Sequence, residues 1–161
     1  MNKEIRTKEE ASELLQLVSF KIGSEEFGVE ILNVQEINKM TQITKVPNSP
    51  EFVEGVINLR GRVIPVVDLR TRLNLEKKPH DKDTRIIVVE IIGRTIGFIV
   101  DSVNEVLRVP VNTFEAPPEL VAGIGSEFIK SVGKLDDRLL ILIDLNKVLQ
   151  QEESVQLEAV G

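Results

Sequence analysis

Val56–Leu69 reads VINLRGRVIPVVDL and Val132–Leu145 reads VGKLDDRLLILIDL, the second stretch a gapless echo of the first. A looser echo lies upstream of each, Gly28–Ile37 as GVEILNVQEI and Gly97–Val106 as GFIVDSVNEV, in the same order. Ordered repeats of this kind describe an internally duplicated unit, and each unusual residue is best judged against its counterpart in the other copy. Within the units apolar residues alternate or run consecutively over strand-length stretches bounded by glycine, proline or aspartate, so the unit is β-rich.

Outward from the repeats the pattern stays two-fold. Val18, Phe20 and Ile22 alternate with Ser19 and Lys21, Gly23-Ser24 turns the chain, and Phe27, Val29 and Ile31 alternate again, which predicts a hairpin. Ile31–Ile37 reads as a bend leading into a strand, Pro47–Pro50 as a loop, and Glu51–Glu54 as a short helical turn. Gly55–Leu59 and Arg62–Val67 flank Arg60-Gly61, a tight hairpin in which Gly61 accepts the positive φ of the second loop position. Asn74–Asp83, NLEKKPHDKD, is the strongly polar internal stretch and the expected linker. The second half repeats the plan with Thr84–Ile92, a Gly93-Arg94 turn, Thr95–Asp101 and Glu105–Val109. An irregular connection through Pro117-Pro118 and Gly123–Ser126 leads to Phe128–Leu135, an Asp136-Asp137 turn and Arg138–Ile143, after which Asp144 caps a helix over Leu145–Gln150.

Runs such as VIPVV and LLILI are apolar at consecutive positions, so both faces of those strands must be covered. One face can fill a barrel while the other packs on a sister barrel. The expected fold is therefore all-β: two small closed barrels from an internal duplication, packed around a shared core, with short helical turns and a short C-terminal helix. The barrels fall at approximately 14–75 and 84–150, with strand exchange between the halves possible, and polar tails at 1–13 and 151–161 flank them.

Composition narrows the function. The 161 residues carry 29% charged and 42% hydrophobic side chains, a globular balance. A net charge of −6 and a pI near 5.0 argue against nucleic acid or an anionic membrane as the main partner, since phosphate binding needs clustered Lys and Arg. With no Trp, no Tyr and six Phe, the chain also lacks the aromatic platforms of the alternative, a small barrel that binds nucleic acid. The absence of Cys excludes disulfides and thiolate chemistry, and the polar N-terminus and short apolar runs predict a cytoplasmic protein without membrane insertion.

Catalytic patterns are sparse. His80, the sole histidine, sits between Pro79 and Asp81 in the linker and reads as a solvated loop residue. No metal-ligand spacing, cofactor motif or phosphate loop is present, so neither metal nor cofactor is expected. Asp68 and Asp144 occupy equivalent places, but they are followed by Leu-Arg and Leu-Asn. A protease dyad needs a small hydroxyl residue and Gly there, so strand ends or helix N-caps are the better reading. The first copy departs from the second with Arg60-Gly61 against Asp136-Asp137 and Pro65 against Ile141, while Glu36 is matched by Glu105. Arg60 is the departure that turn geometry does not require, and an Arg and a Glu can pair across neighbouring strands.

NSPEFVEGVINLRGRVIPVVDLR, preceded by FGVEILNVQEI and followed by DRLLILIDLNKVL, resembles the CheW family of bacterial chemotaxis coupling proteins, from about Leu17 to Leu149. The resemblance implies a single CheW-like domain over 14–150, built as two five-stranded SH3-like barrels and without catalysis. It implies an adaptor linking the cytoplasmic tips of methyl-accepting chemotaxis receptors to the regulatory domain of the histidine kinase CheA, recruited to the inner face of the membrane through the receptors. By position, Glu36 and Arg60 would be the family's acidic and basic pair, with Val34, Gly55, Asn58 and Gly61 nearby. A groove between the barrels, lined by Ile31, Val34 and Val100, is expected to accept a helical receptor tip, and a different barrel end, around Gly55–Arg62, to contact the kinase.

Overall fold

The computed structural model describes residues 13–117 and 128–148. β1 (Leu14–Ile22) and β2 (Glu25–Glu30) form the hairpin expected at Gly23-Ser24, with Phe20 opposite Phe27 and their rings stacked 5.9 Å apart. A 3₁₀ turn at Ile31–Asn33 bends the chain into β3 (Val34–Lys39). The helical turn expected at Glu51–Glu54 is only a single turn, closed by Val53 N–H on the Pro50 carbonyl. Val53 is buried and opens β4 (Val53–Leu59), because the β-branched residue gains ladder pairing opposite Val67. β5 (Arg62–Asp68) and a one-turn helix α1 (Leu69–Arg72) complete the first half.

Residues 73–84 contain no helix or strand. The second half then runs β6 (Arg85–Ile91), β7 (Arg94–Val100), β8 (Ser102–Pro110), a 3₁₀ turn at Val111–Thr113, β9 (Phe114–Glu115), β10 (Ile129–Lys134), β11 (Leu139–Ile143) and α2 (Leu145–Val148). The β6–β7 turn is carried by Ile92 and Gly93, both at positive φ, one position before the Gly93-Arg94 expectation. The expected tail 1–13 apart from Glu13, the Gly123–Ser126 connection, the end of the helix to Gln150 and the acidic tail 151–161 lie outside the described residues.

Neither sheet is made from one half of the sequence. One has the order β8-β1-β2-β11-β10-β9 and the other β3-β6-β7-β5-β4. Each hairpin, β1–β2 and β6–β7, is thus completed by strands of the opposite half, and the ranges 14–75 and 84–150 do not delimit the sheets. The physical cause is the pair of sharp bends after β2 and after β7, which take the following strand across to the other hairpin: β3 pairs with β6, and β8 with β1. The two sheets match position by position. β11 runs parallel to β2 with Leu142 opposite Gly28, and β5 runs parallel to β7 with Val66 opposite Gly97. Register slips at Val53/Gly55 in one sheet and at the equivalent Ile129/Ser131 in the other. The two-residue β9, opposite Val132 and Gly133, corresponds to an isolated bridge between Thr44 and Val56 in the five-stranded sheet.

Consecutive apolar residues divide between cores as strand alternation requires. Val66, Ile86 and Val88 fill the five-stranded barrel with Ile57, Ile64 and Ile99, whereas their neighbours Val67, Ile87 and Val89 enter a core shared by both sheets. Leu17, Leu140 and Leu142 fill the six-stranded barrel with Val109, and Val18 and Ile143 enter the shared core. Each fully buried side chain of this size contributes about 2 kcal/mol of transfer free energy. The molecule is all-β, two SH3-like barrels on one central core. Among the described residues no helix is long and apolar enough to cross a membrane.

Candidate functional site

The β4–β5 turn contains two positive-φ residues, Arg60 (φ 51) and Gly61 (φ 84), the geometry of a tight hairpin matched to strand twist. Asn58 holds the turn by accepting the Gly61 N–H on its side-chain oxygen at 2.9 Å. The turn projects the Arg60 guanidinium onto Glu36 of β3, with Nη1 donating to Oε1 at 3.1 Å and Nη2 to Oε2. The contact is bidentate, the geometry that arginine and carboxylate planes favour. The sequence reading put the pair on neighbouring strands, but β3 and β4 are the opposite edges of the five-stranded order. The ion pair therefore bridges the seam where the sheet closes. The hydrogen bonds from Arg60 hold the Glu36 carboxyl below its ordinary range, and Glu36 raises Arg60 in turn.

Arg60 remains 71% exposed and Glu36 24%, so the pair presents a charged surface around an oriented guanidinium. Val63, two residues past Gly61 in β5, is exposed, as is Ile37 on the face of β3 opposite Glu36, and Leu32, on the preceding 3₁₀ turn, is 91% exposed. These apolar residues were missed in the sequence. Leu32 stands next to Ile31 with nothing in the local pattern to say which faces out, since a 3₁₀ turn breaks the alternation on which such a reading depends.

The other expected site residues divide. Val34, Glu36, Asn58, Arg60 and Gly61 lie on or beside the clamp, with Val34 half-buried against the shared core. Ile31 is likewise half-buried against that core. Val100, expected to line a groove, is 1% exposed within the shared core, because alternation along β7 turns it inward with Ile96 and Phe98. Gly55 is buried as well. A Cβ there would collide with the Thr44 carbonyl oxygen and stand 2.7 Å from Ile43 Cγ2, so the glycine permits the close approach that seats the Thr44 bridge.

The matching seam of the six-stranded barrel is built differently. Glu105, the counterpart of Glu36, lies 3.7 Å from Arg138, while Asp136 replaces Arg60. Arg138 Nε donates instead to Glu26 Oε1 at 2.6 Å, and Glu26 also accepts from Ser19 and, at 3.4 Å, from Asn104. Burial pushes the Glu26 carboxyl up, but hydrogen bonds from Ser19, Arg138 and Asn104 outweigh it and leave the group below its ordinary value. At the equivalent place in the five-stranded barrel, Arg62 donates to the Thr95 hydroxyl at 3.0 Å.

The duplicated aspartates cap helices. Asp68 accepts from Arg70 N–H at 2.9 Å at the start of α1, and Asp144 from Asn146 N–H at 3.0 Å at the start of α2. Arg70 in turn grips Asp101 through Nε (2.9 Å) and Nη2 (2.6 Å), and Asp101 accepts Gly23 N–H at 2.8 Å, which ties α1 to both hairpin ends. Burial pushes Asp101 up and the bonds from Arg70 and Gly23 bring it below its ordinary value. Arg72 lies near the pseudo-two-fold axis. Its guanidinium stands 4.5 Å from the Phe128 ring centre and 5.5 Å from Phe52, the equivalent residue of the first copy, and Nε donates to the Val148 carbonyl.

Comparison with known proteins agrees with this architecture. The family model described as CheW-like domain matches residues 16–153. The chemotaxis protein CheW of Bacillus subtilis is 37% identical over 154 residues, covering 96% of this chain and 95% of the relative. That of Klebsiella aerogenes is 36% identical over 146 residues, covering 91% and 88%. The crystal structure of the scaffolding protein TtCheW from Thermoanaerobacter tengcongensis superposes with a TM-score of 0.80 at 41% identity, covering 87% of this chain and 95% of that one. The chain belongs to the CheW-like domain family.

Proposed function

We propose that this member of the CheW-like family is a chemotaxis adaptor that couples the cytoplasmic tips of transmembrane chemoreceptors to the histidine kinase CheA, acting by binding alone. The relatives named above are chemotaxis and scaffolding proteins, which supports the adaptor role. The observation that carries the choice of surface is the Glu36–Arg60 clamp: an exposed guanidinium, held in one orientation across a barrel seam, with exposed Val63 on the strand that leaves the same turn. Oriented arginine next to apolar side chains is the composition of an interface anchor, since both partners bury surface without first ordering a long flexible side chain. The opposite seam has acidic Asp136 and Asp137 at that place, so the molecule offers two distinct ends to two partners. Val34, Asn58 and Gly61 support the first end directly, and Gly55 acts from beneath through Thr44. Ile31 and the outward Leu32 extend the surface toward the receptor side, with Val100 contributing as core behind it. Recruitment through receptors would hold the protein at the inner face of the membrane.

The test is co-sedimentation of the protein with receptor cytoplasmic fragments and CheA, scored for ternary assembly and for kinase autophosphorylation. All three components in the pellet with stimulated phosphorylation is the expected result. Failure to bind either component from a matched organism would sink the coupling role.

A further inference from the structure

The linker brings a histidine to two carboxylates that the sequence holds far apart. Ligand atoms of Glu54 on β4, Asp68 at the end of β5 and His80 in the linker all lie within 4.8 Å of one another. Asp68 is 4% exposed and caps α1 through one carboxylate oxygen, Oδ1. Its charge is thus taken out of water with little compensation, an arrangement that favours a cation. A small cavity of about 10 Å³ opens against Asp68, His80 and Thr84, beside Glu54 rather than lined by it; Arg70 and Lys78 share its wall and are paired with Asp101 and Asp81. His80 is not loosely placed: the next residue starts a closed turn, in which Asp81 N–H donates to Thr84 Oγ1 at 2.9 Å and Asp81 Oδ1 accepts Asp83 N–H at 2.8 Å. Lys77 touches Glu54 at 3.5 Å, but that lysine is 57% exposed and such a pair is readily exchanged.

We propose that Glu54, Asp68 and His80 form a site for a divalent transition metal such as Zn²⁺, which clips the linker onto the five-stranded barrel. One imidazole and two carboxylates neutralise the ion's charge and leave a coordination position for water, and the imidazole favours Zn²⁺, Co²⁺ or Ni²⁺ over Mg²⁺. Ligand atoms around tetrahedral Zn²⁺ stand about 3.3 Å apart, so closure asks for movement on the order of 1 Å, which the exposed His80 and the side chain of Glu54 can supply. The site belongs to the first copy alone. Lys130 replaces Glu54 in the second copy and is occupied with Glu30 at 3.3 Å. Sequence spacing does not reveal it, because the three ligands come from two strands and a loop.

Untagged full-length protein is titrated with Zn²⁺ by calorimetry and with Co²⁺ by visible absorption. The expected result is one ion per chain with a micromolar dissociation constant. His80→Ala removes an exposed side chain and should weaken binding by at least about tenfold, as should Glu54→Lys, which copies the second repeat. Trypsin cleavage after Lys77 or Lys82 should slow on adding Zn²⁺ in the parent protein and not in His80→Ala. No saturable binding up to millimolar metal would overturn the site, and so would unchanged affinity in a folded His80→Ala variant. Neither result bears on kinase coupling.

Discussion

The two barrels place the same strands in the same order, yet secure their seams with different chemistry. In the five-stranded barrel the glutamate of the edge strand is met by Arg60 from a two-residue turn, Val88 opposite Glu36 is buried, and the Thr95–Arg62 hydrogen bond is exposed. In the six-stranded barrel the turn is acidic, with Leu135 N–H bonding the Arg138 carbonyl, and the arginine reaches inward to buried Glu26. One barrel keeps its ion pair on the outside, where a partner can meet it; the other folds it into a polar network with Ser19 and Asn104. Features common to both copies, namely the bulges, the parallel pairings and the capping aspartates, belong to the fold. Features in one copy belong to what that end does.

The largest test of this division concerns Gly55, whose counterpart is Ser131. Gly55→Ser should destabilise the protein by about 3 kcal/mol in urea unfolding, since the new Cβ meets the Thr44 carbonyl at a backbone conformation glycine favours. Ser131→Gly should cost much less, and equal effects would show that the two bulges are not different in packing. Next, Glu26→Gln should cost about 2 kcal/mol at neutral pH by weakening a buried charge-assisted bond. It should also flatten the acid limb. The Glu26 carboxyl lies below its ordinary 4.5 when folded, so its stabilisation is complete above that pH and is lost as pH falls through the lower folded value. Unfolding midpoints of the two proteins should therefore converge as pH is lowered, and parallel curves would remove Glu26 as a source of the acid sensitivity.

Arg60→Asp, which copies the second repeat, should leave the circular dichroism spectrum and unfolding midpoint nearly unchanged while weakening assembly with kinase and receptor about tenfold. Unaltered complex formation by the folded variant would take Arg60 out of the interface. The smallest effect is expected for Thr95→Val, the five-stranded counterpart of the Glu26 change. Its hydrogen bond to Arg62 is exposed, so stability should move by less than about 0.5 kcal/mol. A loss as large as that of Glu26→Gln would mean that the two seams are equally dependent on their polar contacts.

Much was legible in the residues themselves. The duplication, the hairpins at Gly23-Ser24 and Arg60-Gly61, the capping of the final helix by Asp144 and the double-sided burial of VIPVV and LLILI all follow from local chemistry: strand alternation, turn dihedrals and side-chain caps act over a few residues and leave a mark there. The Glu36–Arg60 pairing was also visible as a break in the repeat. Its meaning as a barrel seam was not, because edge identity depends on which strands pair.

Tertiary structure alone decided the exchange of hairpins between halves. A β1–β2 hairpin reads the same whether β8 or β3 lies beside it, and only the bends after β2 and β7 choose. It alone buried Val100 and Gly55 while leaving Leu32 in solvent, since a residue's face follows from the sheet opposite it and not from its neighbours in sequence. It alone brought His80 to Glu54 and Asp68, as proximity between distant residues is created by packing and has no local signature. The sequence determined which units form and what chemistry they carry; the packing of those units determined which side chains meet.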